Sequence, residues 1–223
     1  MQPVHQRLRS PKKNRPRWLL RSRQRKKKRL PSVLNREEVS RLLAEAKHNP
    51  KRYAILATLY STGLRLGELC NLTISDIDST AMLVRVQQGK GGKDRLVQLS
   101  TQLLEILRAY YRSCLQKPKT WLFPGLKQDE PIDPSTIQRM TTTIARRSGI
   151  GKHVSPHTLR HSFATHLLES NTDLRTIQAL LGHSSIQTTE VYLHVAAHHL
   201  QAVQNPLDHL PAPCGANAEG SRR

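Results

Sequence analysis

From Asn35 to Gly182 the apolar residues recur at helical spacing, and a capping residue, a proline or a glycine stands at most of the breaks. A chain punctuated in this way is committed to short amphipathic helices sharing one core. Asn35 precedes Val39, Leu42, Leu43 and Ala46, and Glu38 is placed to close a capping box. Pro50 opens a second helix through Tyr53, Leu56, Ala57 and Tyr60, and Gly63 ends it. A short helix then starts with Arg65 at its N-terminus and Glu68 one turn on, on the same face. A surface ion pair is the plain interpretation, but the flanking Leu64, Leu66, Leu69 and Leu72 predict partial burial. Further helices are expected over about 102–115, over 134–148 with Arg139, Arg146 and Arg147, from Pro156, and from Asp173 to Gly182. One more short helix is expected over 184–192, and Trp121–Gly125 reads as an apolar anchor before a turn.

Only one stretch breaks the helical rhythm. Residues 82–87 and 94–99 read as two strands of a hairpin, joined by Gln88-Gly-Lys90-Gly-Gly-Lys93. The predicted class is therefore mainly α with a small antiparallel β-sheet (α+β). A lysine at a hairpin tip is commonly just solvated, but the glycines admit a backbone closely, and Lys93 and Arg95 flank Lys90. A phosphate contact is expected at this turn, with Lys93 and Arg95 as candidate nucleic-acid-binding residues beside Lys90. The turn lacks GxxxxGK[ST] spacing and no helix follows it, which disfavours nucleotide hydrolysis.

Charge sharpens the choice of partner. The net charge is +20, yet residues 1–30 carry thirteen Lys/Arg and no acid, so the other 193 residues carry only +7. Residues 1–30 are expected to be a disordered basic arm that binds polyanions without reading sequence. From Asn205 onward the chain is rich in Pro, Ala and Gly, and 200–223 is expected to be a flexible tail. Cys70, Cys114 and Cys214 lie far apart and form no disulfide framework. No apolar run is long enough for a bilayer. The expectation is a soluble cytoplasmic protein with no membrane partner.

Residues 154–192 hold the chemistry. His157 and Arg160 sit at i and i+3, His183 lies inside Leu-Gly-His, and Tyr192 follows nine residues later. A guanidinium can hold two phosphate oxygens, an imidazole can move a proton near neutral pH, and a tyrosine oxygen can form a covalent intermediate. This set suggests phosphoryl transfer without metal. The i,i+4 pairs His157/His161 and His194/His198 could bind zinc, but neither is HExxH and no cysteine lies near, so no metal site is expected.

With ThrGlyLeuArg65…Glu68, GlyLys90Gly, His157-x-x-Arg160, LeuGlyHis183 and Tyr192 in this order, residues 31–199 resemble the tyrosine recombinase (phage integrase) family, and the texture is similar to its Xer, integron and insertion-sequence branches. The resemblance implies site-specific DNA cutting and rejoining through a 3′-phosphotyrosyl link, with no cofactor. It implies catalytic roles for Arg65, Lys90, His157, Arg160, His183 and Tyr192: Tyr192 as nucleophile, Arg65 and Arg160 with His183 on the phosphate oxygens, His157 as base, and Lys90 as acid. Glu68 would orient Arg65. Partners would be double-stranded DNA and a homotetramer or a partner recombinase. Relatives carry an N-terminal core-binding domain, for which residues 1–30 are too short. The expectation is thus a catalytic domain lacking that clamp. The alternative is an idle DNA-binding module that regulates a full-length recombinase, and a nicking and relaxing activity is a third possibility.

Overall fold

Every residue from Ala54 to Thr62 is buried, and this run makes α2 (Pro50–Thr62) the helix on which the others pack. A helix apolar all round belongs inside a fold. Its hydroxyls turn back on the helix: Thr58 Oγ1 donates to the Ala54 carbonyl at 2.7 Å and Thr62 Oγ1 to that of Thr58 at 2.6 Å. α1 (Arg36–Ala46), α4 (Thr101–Ser113) and α6 (Pro156–Glu169) pack around it. The computed structural model describes residues 32–87, 94–182 and 205–210. All of them belong to the compact unit that begins at Pro31.

The remaining elements are α3 (Leu66–Cys70), β1 (Ile77–Asp78), β2 (Leu83–Val86), β3 (Arg95–Gln98), α5 (Pro134–Arg147) and α7 (Leu174–Leu181). The helices begin where their caps predict. Asn35 and Glu38 form the reciprocal capping box of α1, Asp173 accepts from the Thr176 N–H at α7, and Ser155 caps α6 ahead of Pro156. The strands form an antiparallel sheet in the order β1-β2-β3, with Val84 opposite Val97 and Val86 opposite Arg95. The hairpin was expected but β1 was not, since two residues carry no readable alternation. The α+β class holds. Among the described residues no helix is long and apolar enough to cross a membrane.

A second departure lies at the C-terminal end. Part of the expected flexible tail is packed: a 3-10 turn over Pro206–His209, capped by Asn205 and Leu210, lies against α2, α4 and α6, with Leu207 buried. Asn205 explains it. Its amide donates to the Ser61 carbonyl and hydroxyl, both at 2.9 Å, while its carbonyl oxygen accepts from the Leu207 N–H. A polar side chain satisfied in this way can be buried without penalty.

Gly63 ends α2 in the left-handed region, at φ +61°, and a Cβ there would lie 2.5 Å from the Phe163 ring. Gly63→Ala must strain the backbone and displace an aromatic ring in the core. The expected loss is about 2–4 kcal/mol of stability, read by urea denaturation.

Candidate active site

α7 ends beside three arginines. A helix leaves its last carbonyls without intrahelical donors, and its C-terminus carries partial negative charge. Here three consecutive carbonyls each accept from a different arginine. Leu180 takes Arg95 Nε at 2.8 Å, Leu181 takes Arg160 Nη2 at 2.6 Å, and Gly182 takes Arg65 Nη2 at 2.9 Å. Gly182 adopts φ 63°, the left-handed cap that ends α7. The helix end thus fixes the three guanidinium groups relative to one another.

Arg160 comes from α6 and is buried. Its Nη1 also donates to the Gly63 carbonyl at 2.6 Å, which ties α6 to the α2–α3 turn as well as to α7. Burial, and then the positive charges of Arg65 and Arg95, lower its pKa to about 10, with Glu68 opposing the shift. It remains a cation at neutral pH. Arg65, the N-cap residue of α3, has a side chain 43% exposed, so its guanidinium is partly open to solvent.

Glu68 links the cluster. Its Oε1 accepts from Arg65 Nη1 at 2.8 Å and its Oε2 from the Arg65 backbone N–H at 2.7 Å. Arg95 grips both oxygens, Nη1 to Oε1 at 2.8 Å and Nη2 to Oε2 at 2.7 Å. Burial alone would raise the Glu68 pKa. The bonds from Arg95 and from Arg65, backbone and side chain, outweigh it and hold the group at about 2. A carboxyl whose folded pKa lies below its ordinary 4.5 contributes stability that is complete above 4.5 and lost as pH falls through 2. Urea denaturation across that window should show Glu68→Gln losing part of the wild-type acid dependence, on the order of 3 kcal/mol. Equal slopes in the two proteins would contradict the assignment.

His157 is exposed on the first turn of α6, with its ring edge-to-face against His161 at 4.6 Å between centroids. Among the described residues no three His, Cys, Asp or Glu side chains gather as a metal site. His166 is a core histidine: Tyr60 Oη lies 2.8 Å from its Nδ1, and burial lowers its pKa.

The structure thus brings together Arg65, Glu68 and Arg160, with His157 on the same helix as Arg160. Lys90, Lys93, His183 and Tyr192 lie outside the described residues. Arg95 requires a correction. It was expected to contact DNA phosphate, but its Nε, Nη1 and Nη2 all donate inward, to the Leu180 carbonyl and to both Glu68 oxygens. The strand pattern held the clue, because Arg95 shares a face with the buried Val97, two residues on. Chemically, three guanidinium groups against one carboxylate leave net positive charge at a helix end, suited to the oxygens of a phosphodiester.

The phage integrase family matches residues 32–199. An integrase/recombinase of Sinorhizobium fredii, y4qK, is 46% identical over 84% of this chain and 60% of its own length. Tyrosine recombinase XerC of Xanthomonas campestris is 44% identical over 79% of this chain and 55% of its own. The crystal structure of XerA recombinase superposes with a TM-score of 0.65 at 36% identity, over 76% of this chain and 64% of that one. XerH site-specific recombinase, solved on its palindromic difH substrate, superposes with a TM-score of 0.60 at 26% identity, over 78% and 52% of the two chains. The chain therefore spans about 60% of the first of these relatives and 55% of the second.

Proposed function

This chain belongs to the phage integrase family, and from that premise we propose that it is a tyrosine-type site-specific recombinase. It would cut double-stranded DNA and rejoin it through a 3′-phosphotyrosyl link to Tyr192. The observation that carries this reading is the pairing of Arg65 and Arg160 on adjacent carbonyls at the end of α7. Two guanidinium groups held side by side can meet the two non-bridging oxygens of one phosphodiester.

In the reaction the Tyr192 oxygen attacks the scissile phosphorus and the bond to the 5′-oxygen breaks. His157 accepts the tyrosine proton, and Lys90 supplies one to the leaving 5′-oxygen. The pentacoordinate transition state gathers negative charge on its non-bridging oxygens, which Arg65 and Arg160 meet with His183. Charges held in place beforehand are typically worth several kcal/mol of barrier. Glu68 fixes Arg65. Rejoining is the reverse: the 5′-hydroxyl of another strand attacks the phosphotyrosine, and Tyr192 leaves with its proton restored. The phosphoester energy stays in the link, so no nucleotide is consumed. Residues 31–199 form the catalytic unit, and the Lys/Arg-rich residues 1–30 add phosphate contacts that do not depend on sequence. Strand exchange between two duplexes requires four such units, and a homotetramer on DNA is the assembly assigned here.

The test is a supercoiled plasmid carrying both flanks of the protein's own gene, incubated with purified protein in EDTA. Exchanged or resolved products are expected. Retarded DNA with no nick, relaxation or exchange would replace the enzyme by a DNA-binding module. Relaxation without exchange would leave the chemistry but remove recombination.

A further inference from the structure

We propose that Arg95 is a positioning residue for the reaction, a strut that sets Arg65 through Glu68 and sets the end of α7 through Leu180. The inference rests on the recombinase reading above and adds to it a residue that never meets the DNA.

Three observations carry it. The first is the fork: Arg95 meets both Glu68 oxygens, at 2.8 and 2.7 Å, and its third donor, Nε, reaches the Leu180 carbonyl at 2.8 Å. A planar guanidinium can make all three bonds at once and a lysine cannot. The second is burial. The Arg95 and Glu68 side chains are 8% and 9% exposed, whereas Arg65 is 43% exposed. The anchored end of the network is therefore inside, and the partly open end carries the guanidinium assigned to phosphate. The third is connectivity. Arg95 begins β3, five residues after Lys90, and binds α3 beside Arg65 and α7 three residues before His183. One side chain thus joins three segments that each supply a catalytic residue.

Charge gives the reason for an arginine here. Glu68 alone would neutralise Arg65 and draw it inward. With Arg95 sharing the carboxylate, the group of three keeps one net positive charge, which Arg65 presents outward.

The test uses the full chain and a nicked duplex carrying the site that the wild-type protein cuts. Arg95→Lys, Arg95→Met, Glu68→Gln and the double variant Glu68→Gln/Arg95→Met are compared. Single-turnover adduct formation at saturating protein is measured from pH 5 to 9, with DNA affinity and thermal unfolding read separately. Both Arg95 variants should slow the adduct step about 10–100-fold while DNA affinity is retained. Wild-type Glu68, held at about 2, lies below this window; in Arg95→Met, where Glu68 loses its strongest partner, an additional acid limb should enter it, and the double variant should lack that addition. A purely structural role would not produce that limb. Arg95→Lys covers the case in which Arg95→Met fails to fold. Wild-type rate and profile in a folded Arg95→Lys would overturn the inference and leave the recombinase reading intact. Failure of the wild-type protein to form any adduct would overturn both.

Discussion

Tyr192→Phe is expected to fold, to bind DNA as the wild type does, and to form no covalent adduct with it. The substitution removes one oxygen, and under the proposed mechanism that oxygen is the nucleophile. Adduct formation should fall by about 10⁴-fold or more, to background on a denaturing gel. The other four tyrosines are Tyr53, Tyr60, Tyr110 and Tyr111, and none is equipped to take over. Burial raises the pKa of Tyr53, Tyr60 and Tyr110. Tyr60 and Tyr110 are deep in the core, and the Tyr60 hydroxyl already meets His166. Tyr111 lies on α4 with Lys117 over its ring. An adduct that survives in Tyr192→Phe would therefore contradict the assignment rather than reveal a substitute.

Arg160→Ala should lose both rate and stability, whereas Arg65→Ala should lose mainly rate. Each removes a guanidinium assigned to the transition-state oxygens, for which about 10²–10³-fold in the adduct step is the expected cost. Their surroundings differ. Arg160 is 5% exposed and donates to the Gly63 and Leu181 carbonyls, so its loss leaves two inward carbonyls without donors and opens a cavity between α2, α6 and α7. That should cost about 3–5 kcal/mol, read by urea denaturation. The half-exposed Arg65 packs less, and its loss should cost about 1 kcal/mol. Arg160→Lys keeps the charge but cannot span two carbonyls, and should recover little of either loss. Equal stability losses for the two alanine variants would contradict the contrast drawn here between a buried Arg160 and a half-exposed Arg65.

What could be read from the sequence was whatever depends on neighbours in the chain. The cap at Asn35, Pro50 and Pro156 at helix starts, the left-handed ends at Gly63 and Gly182, and the β2–β3 hairpin all follow from local chemistry, and the structure has each of them. Glu68 beside Arg65 was readable for the same reason, as i and i+3 on one turn. What escaped depends on distant partners. Arg95 lies 27 residues from Glu68 and 85 from Leu180, and in the sequence it reads as one more cation beside a basic turn. Asn205 meets Ser61 across 144 residues, so the packed turn at 205–210 was hidden within a tail of turn-forming composition. Asparagine and proline favour a turn, but they do not indicate whether it lies against a core.

The most direct measurement identifies the atom that joins protein to DNA. Wild-type protein is incubated in EDTA with end-labelled duplex from the flanks of its gene, the adduct is isolated under denaturing conditions, and its peptide is sequenced by mass spectrometry. The account predicts a phosphodiester from the Tyr192 oxygen to a DNA 3′ end, with a free 5′-hydroxyl on the other side of the break. A link through any other residue, a 5′-phosphoryl link, or cleavage that leaves no protein attached would contradict it.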